Sequence, residues 1–143
     1  MIVERTISIS KPPAQVLELM ADIRNDPKWH TDVLEATQTT EGALGVGTQF
    51  QVKLKPSMGV SGGTMTVAEY EPDKRVVFRG QIGKMAPIVT NSVESEGTGT
   101  RVTRRVEIDP PGLMRIMTPL MKRMISKSND GFLANLKRLL EGS

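Results

Sequence analysis

The chain is 143 residues long, with a formal net charge of +3, nine methionines, one histidine and no cysteine. That length suits a single domain over residues 1–143, which on folding would bury roughly 70% of the unfolded chain's surface. The missing cysteine excludes disulfides, thiolate metal sites and thiol nucleophiles, and scattered Lys and Arg with only 3% aromatic residues argue against a nucleic-acid partner.

Residues 1–10 alternate, with Val3, Arg5, Ile7 and Ile9 on one face and Glu4, Thr6 and Ser8 on the other. This is the two-residue period of a half-buried strand, not the basic start and apolar block of a signal peptide. Pro12 and Pro13 close the strand and suit the first turn of a helix, in which Val16, Leu17, Met20 and Ile23 recur on one side. Asn25 and Asp26 are good caps before Pro27, so a second short helical turn is expected from Asn25 to Trp29.

From about Val33 to Ile108 six strands are expected, separated by Gly, Pro and Asp punctuation at 41–47, 56–63, 71–74, 83–85 and 96–99. Phe50, Val52 and Leu54 alternate with Gln49, Gln51 and Lys53, which indicates an antiparallel sheet with one wet face. The loop from Pro56 to Gly63, which contains Met58, is suited to a flexible rim. The phases of 64–70 and 88–95 stay open, because both faces there mix polar and apolar residues.

After Asp109-Pro110-Pro111-Gly112 a helix can run to about Glu141, roughly 40–45 Å at 1.5 Å per residue. At 100° per residue its inward stripe is Met114, Met117, Met121, Met124, Ile125, Ser128, Phe132, Leu136 and Leu139, with Arg115, Lys122, Arg123, Lys127, Asp130 and Lys137 opposite. Pro119 and Gly131 are its weak points. No run approaches the ~20 apolar residues of a membrane span, so no stable membrane insertion is expected; the missing cysteine agrees with a reducing compartment, and a cytoplasmic location is expected.

The order of strand, two short helices, six strands and one long terminal helix has local carriers. They are VERTISISKPPAQVLELMADIRNDPKWH at the start, then GTGTRVTRRVEIDPPG leading into GLMRIMTPLMKRM, and the closing LANLKRLLEG. In this order the chain resembles, over essentially its whole length, the START-like helix-grip superfamily (SRPBCC). That superfamily includes the polyketide cyclase/dehydrase and lipid-transport group, the birch pollen allergen class and plant hormone receptors. The resemblance implies an α+β helix-grip fold: a seven-stranded antiparallel sheet wrapped around a long C-terminal helix, with the first and last strands adjacent and a hydrophobic cavity between sheet and helix. Superfamily members bind lipids, sterols, polyketides and hormones, a few catalyse cyclisation or dehydration, and others act through protein partners, so the fold by itself does not select a function.

Methionines at helical spacing suit either core packing or a deformable pocket wall, and Met114, Met117 and Met121 are the ones expected to see the cavity, with Phe132, Leu136 and Leu139 as core. Arg104 shares a strand face with Val102, Val106 and Ile108, and the resemblance brings it near Arg5. An arginine entering the cavity needs an acceptor, which a ligand carboxylate or phenolate would supply. Met20, Trp29, Phe50, Val52, Met65 and Phe78 complete the candidate ligand-binding set, although Trp29 also suits a wedge that holds the helical corner. His30 is the sole imidazole and lacks the motif of a known nucleophile-and-base arrangement, so no catalytic residue is assigned. No P-loop, dinucleotide fingerprint or metal-ligand cluster is present, and no metal or redox cofactor is expected. The expected function is carriage or sensing of a small hydrophobic or amphipathic ligand, such as a lipid or polyketide. The alternatives are a cofactor-independent cyclase or dehydratase and a partner-binding module acting through its surface.

Overall fold

The computed structural model describes residues 1–57 and 59–142. Seven strands and two α-helices follow in the order β1 (Ile2–Ile9), α1 (Pro13–Ala21), β2 (Val33–Gln38), β3 (Gln49–Ser57), β4 (Val60–Glu71), β5 (Arg75–Ile82), β6 (Ile88–Glu96), β7 (Gly99–Glu107) and α2 (Thr118–Glu141). A 3-10 helix over Ile23–Lys28 follows α1, and a second over Gly112–Met117 precedes α2. All neighbouring strands are antiparallel in the order β1-β7-β6-β5-β4-β3-β2, so the first and last strands lie side by side. This is the seven-stranded helix-grip α+β fold.

Register shifts between Val33 and Glu35, Lys53 and Ser57, and Val67 and Glu69 interrupt the ladders of β2, β3 and β4. Such irregularities bend a strand and sharpen its twist, and here they curl the sheet around α2. The phases left open by sequence are now fixed: β6 turns Val89, Asn91 and Val93 inward, and β4 buries Val67.

Pro13 opens α1, whose Val16, Leu17 and Met20 are wholly buried against β5, β6 and β7. The following corner is capped differently from the sequence expectation. Asp22 accepts from the Arg24 backbone N–H at 3.1 Å and is the cap, which leaves the Asp26 side chain free to turn inward. The Asp26 backbone carbonyl instead accepts from the Trp29 and His30 N–H groups at 3.0 and 2.7 Å.

Two further expectations change. The loop expected over 56–63 is a tight hairpin, with Gly59 at a φ of 79° and Gly62 and Gly63 inside β4. Any Cβ on Gly63 would collide with the Gln81 carbonyl oxygen, so these glycines mark close strand approach and not a rim; Met58 lies outside the described residues. The terminal α-helix starts at Thr118, not near Gly112, because Pro119 occupies its first turn and the preceding six residues are wound as a 3-10 helix. Its C-terminal half is anchored by buried Phe132, Leu133, Leu136 and Leu140. Asn135 donates to the Trp29 carbonyl at 3.1 Å and Lys137 to the Ser8 carbonyl at 2.7 Å, while Glu141 accepts from the Ser10 N–H at 2.8 Å. Among the described residues no helix is long and apolar enough to cross a membrane.

Candidate functional site

Between the curled sheet and α2 lies a pocket of about 370 Å³, within the ~300–1,000 Å³ range of small-molecule sites. Val52 and Leu54 of β3, Met65 of β4, Phe78 and Ile82 of β5, Val89 of β6 and Val106 of β7 form its sheet wall. Met124, Ile125, Ser128, Asn129 and Phe132 of α2 form the opposite wall. Exposed Asp32, Ser57, Met124 and Ser128 mark the outer end, and buried Asp26, Asn91, Arg104 and Asn129 mark the inner end. A larger hollow of about 590 Å³ on the outer side of β2, β3 and β4 has walls of Glu35, Thr37, Gln51, Lys53 and glycine backbone. Among the described residues it encloses no buried polar side chain.

Arg104 is 6% exposed and central to the inner end. Its Nε donates to Asn129 Oδ1 at 2.6 Å and its Nη1 to Asn91 Oδ1 at 3.1 Å, while the guanidinium carbon sits 5.4 Å from the Trp29 ring centre. Asn129 is held in turn by donating to the Ile125 carbonyl at 2.8 Å. Its hydrogen bonds among the described residues thus run from Nε and Nη1 to neutral amides, and no carboxylate there lies within ion-pair distance of it. An arginine buried among neutral amides, with only the Trp29 ring face against its charge, lacks a paired counter-ion, a costly state in a low-dielectric interior.

The neighbouring titratable groups do not cancel that charge at neutral pH. Burial pushes the Asp26 carboxyl up to about 8, with Asp22 adding to the effect and Arg104 opposing it, so Asp26 is chiefly protonated. Burial and the nearby Arg104 push the His30 imidazole down to about 3, so it is neutral. Burial also lowers Arg104, to about 10, against the pull of Asp26, which leaves it charged. His30 stacks on Phe132 with ring centres 4.1 Å apart and meets Trp29 edge-on at 5.9 Å. Asp26 Oδ1, His30 Nδ1 and Trp29 Nε1 are buried without a hydrogen-bond partner among the described residues. Asp26 and His30 belong to the pocket wall, whereas Trp29 stands behind it in the core.

Of the candidate residues named from sequence, Val52, Met65, Phe78 and Arg104 line this pocket. Met20, Trp29 and Phe50 are packed in the core at 0–1% exposure and do not line it. Arg5 stands directly opposite Arg104 in the β1–β7 register, yet its side chain takes another course. It binds Asp130 through Nε and Nη2 at 2.7 and 2.5 Å on the outer side of α2, and these hydrogen bonds hold the Asp130 carboxyl below its ordinary value. Two facing arginines thus grip two successive helix residues, Asn129 from inside and Asp130 from outside.

Met114, Met117 and Met121 do not line the pocket; Met124 does. Helical phase accounts for Met114, because the 3-10 residues 112–117 advance by 120° each in place of 100° and carry a stripe projected backward as α-helix increasingly out of register. Met121 lies within α2 and Met117 at its edge, so both stay nearly in phase; they precede Met124, the first α2 residue on the pocket wall. Sequence reasoning also did not assign Asp26, Asn91 and Asn129 to the site. Asn91 and Asn129 carry a usable signal, since each lies in phase with apolar neighbours, Val89 and Val93 on the strand and Ile125 and Phe132 on the helix. Asp26 carries none, because its direction depends on which residue caps the corner. Among the described residues no three His, Asp or Glu side chains converge to hold a metal ion.

In fold the chain is similar to TTHA0849 of Thermus thermophilus, with a TM-score of 0.80 and 21% identity over 100% of this chain and 99% of that one. MLL2253 of Mesorhizobium loti has a TM-score of 0.75 at 17% identity, covering 100% of this chain and 98% of that one. The Aha1 dimer of Colwellia psychrerythraea has a TM-score of 0.66 at 18% identity, covering 99% and 96%. At these identities the likeness is one of fold alone. Curated protein sequences give no significant match. The family model described as polyketide cyclase / dehydrase and lipid transport matches residues 1–141, and to that family the chain belongs.

Proposed function

We propose that this protein is a cytoplasmic carrier or sensor of a small amphipathic molecule with an acidic head. The apolar body lies against Met65, Phe78, Val106 and Phe132, and a carboxylate or phenolate sits at Arg104. The observation that carries this reading is the burial of Arg104 with two neutral asparagines as its hydrogen-bond partners. An anionic head accepts hydrogen bonds from the guanidinium and neutralises it, and charge-assisted bonds of this kind are the stronger sort. The protonated Asp26 can donate to the same head.

Native mass spectrometry of freshly purified protein, followed by denaturing extraction, tests the reading. A stoichiometric adduct that releases an organic acid supports it. An adduct that releases a neutral or cationic molecule counts against the acidic head.

One observation favours a second reading, a cofactor-independent cyclase or dehydratase. Asp26 keeps its proton to about pH 8 and has an unpartnered oxygen beside the pocket, as a general acid requires. The two readings separate at Asp26→Asn, which removes turnover in an enzyme and leaves acid binding intact in a carrier.

A further inference from the structure

Eight large apolar side chains are exposed among the described residues, and five of them cluster at the start of the terminal helical block. Leu113 is 84% exposed, Ile116 78%, Met117 46%, Leu120 51% and Met124 61%. Their spacing of three, one, three and four residues keeps them on one side of a helical segment. Leu113 and Ile116 are almost wholly uncovered and the other three are about half exposed, and an apolar patch of this kind marks an interaction surface.

Charge identifies the partner. Residues 110–129 carry Arg115, Lys122, Arg123 and Lys127 and no Asp or Glu, four positive charges against +3 for the whole chain. The positive charge of the protein is therefore concentrated beside the apolar strip. Arg115 faces Asp109 at 3.6 Å, while Lys122, Arg123 and Lys127 form no ion pair among the described residues. A second copy of the chain is a poor occupant, because a symmetric contact would set these cations against their own counterparts. An apolar strip flanked by unpaired cations is the pattern of a segment that lies in a membrane interface.

We propose that residues 112–127 dock on an anionic lipid bilayer, with the apolar strip in the headgroup region and the cations on the acidic headgroups. Met124 belongs both to this strip and to the pocket wall, so docking sets the mouth of the pocket against the lipid. The docking surface stands whether or not the pocket holds an acidic molecule.

The test is flotation of the full chain with phosphatidylcholine vesicles, with and without phosphatidylglycerol, at low and high salt. The expected result is binding to the anionic vesicles, release at high salt, and little binding to phosphatidylcholine alone. The double variants Leu113→Ser/Ile116→Ser and Lys122→Glu/Arg123→Glu should each lower the bound fraction tenfold or more. Their thermal melts should match the parent, since these side chains are solvent-facing. Absence of binding to anionic vesicles at low salt overturns the proposal, as does full binding by both variants. A dimer in light scattering that Leu113→Ser/Ile116→Ser dissociates also overturns it, by giving the strip to a second copy.

Discussion

Asp26 and His30 place opposite pH dependences in one corner of the molecule. Asp26 has a folded value raised from 3.8 to about 8, so the folded state holds its proton more tightly, and stability falls as pH rises through that window. His30 has a folded value lowered from 6.5 to about 3, so stability rises with pH up to about 6.5. Each one-proton slope is about 1.4 kcal/mol per pH unit, and the two oppose one another between pH 3.8 and 6.5. Above 6.5 only the Asp26 slope remains. Urea unfolding of the apo protein should therefore show a plateau on the acid side of pH 6.5 and a loss of about 1–2 kcal/mol between pH 6.5 and 8. Asp26→Asn should flatten that loss, and an unchanged slope in the variant would assign it to another group.

Within α2 the two halves do different work. Leu136 is wholly buried between the sheet and the helical corner, whereas Leu120 is 51% exposed in the overhanging first turns. Leu136→Ala should cost about 2–5 kcal/mol through lost burial and the cavity left behind. Leu120→Ala should stay within about 0.5 kcal/mol, as surface changes do. Denaturant midpoints at constant m-value measure both, and similar losses at the two positions would mean that the N-terminal turns are packed in solution. Strand alternation, the proline pair and the turn residues made the strands, α1 and the end of α2 legible from sequence. The start of α2 was not legible, because periodicity assumes one helical pitch and the chain changes pitch at Met117. The hairpin at Gly59 was read too wide for a related reason: Gly62 and Gly63 resemble turn residues but answer to close approach by β3 and β5.

For the whole molecule, the curled sheet closes on the C-terminal half of α2 and leaves a pocket under the other half, with a buried arginine at its inner end and an apolar, basic surface at its mouth. Arg104 was readable as an inward residue because strand alternation is local. Its partners were not, since Asn91 and Asn129 are 13 and 25 residues away along the chain and meet it only through the β6–β7 register and the seating of α2. Whether Arg104 holds an acidic head is decided by calorimetric titration with decanoate and with decanol at pH 6.5. Decanoate should bind at least tenfold more tightly, a difference of about 1.4 kcal/mol that one charge-assisted hydrogen bond can supply. The preference should shrink above pH 8, where Asp26 ionises and repels the acid, and should disappear in Arg104→Met. Equal affinity for the acid and the alcohol in the parent protein would mean that the buried arginine recognises no anionic head.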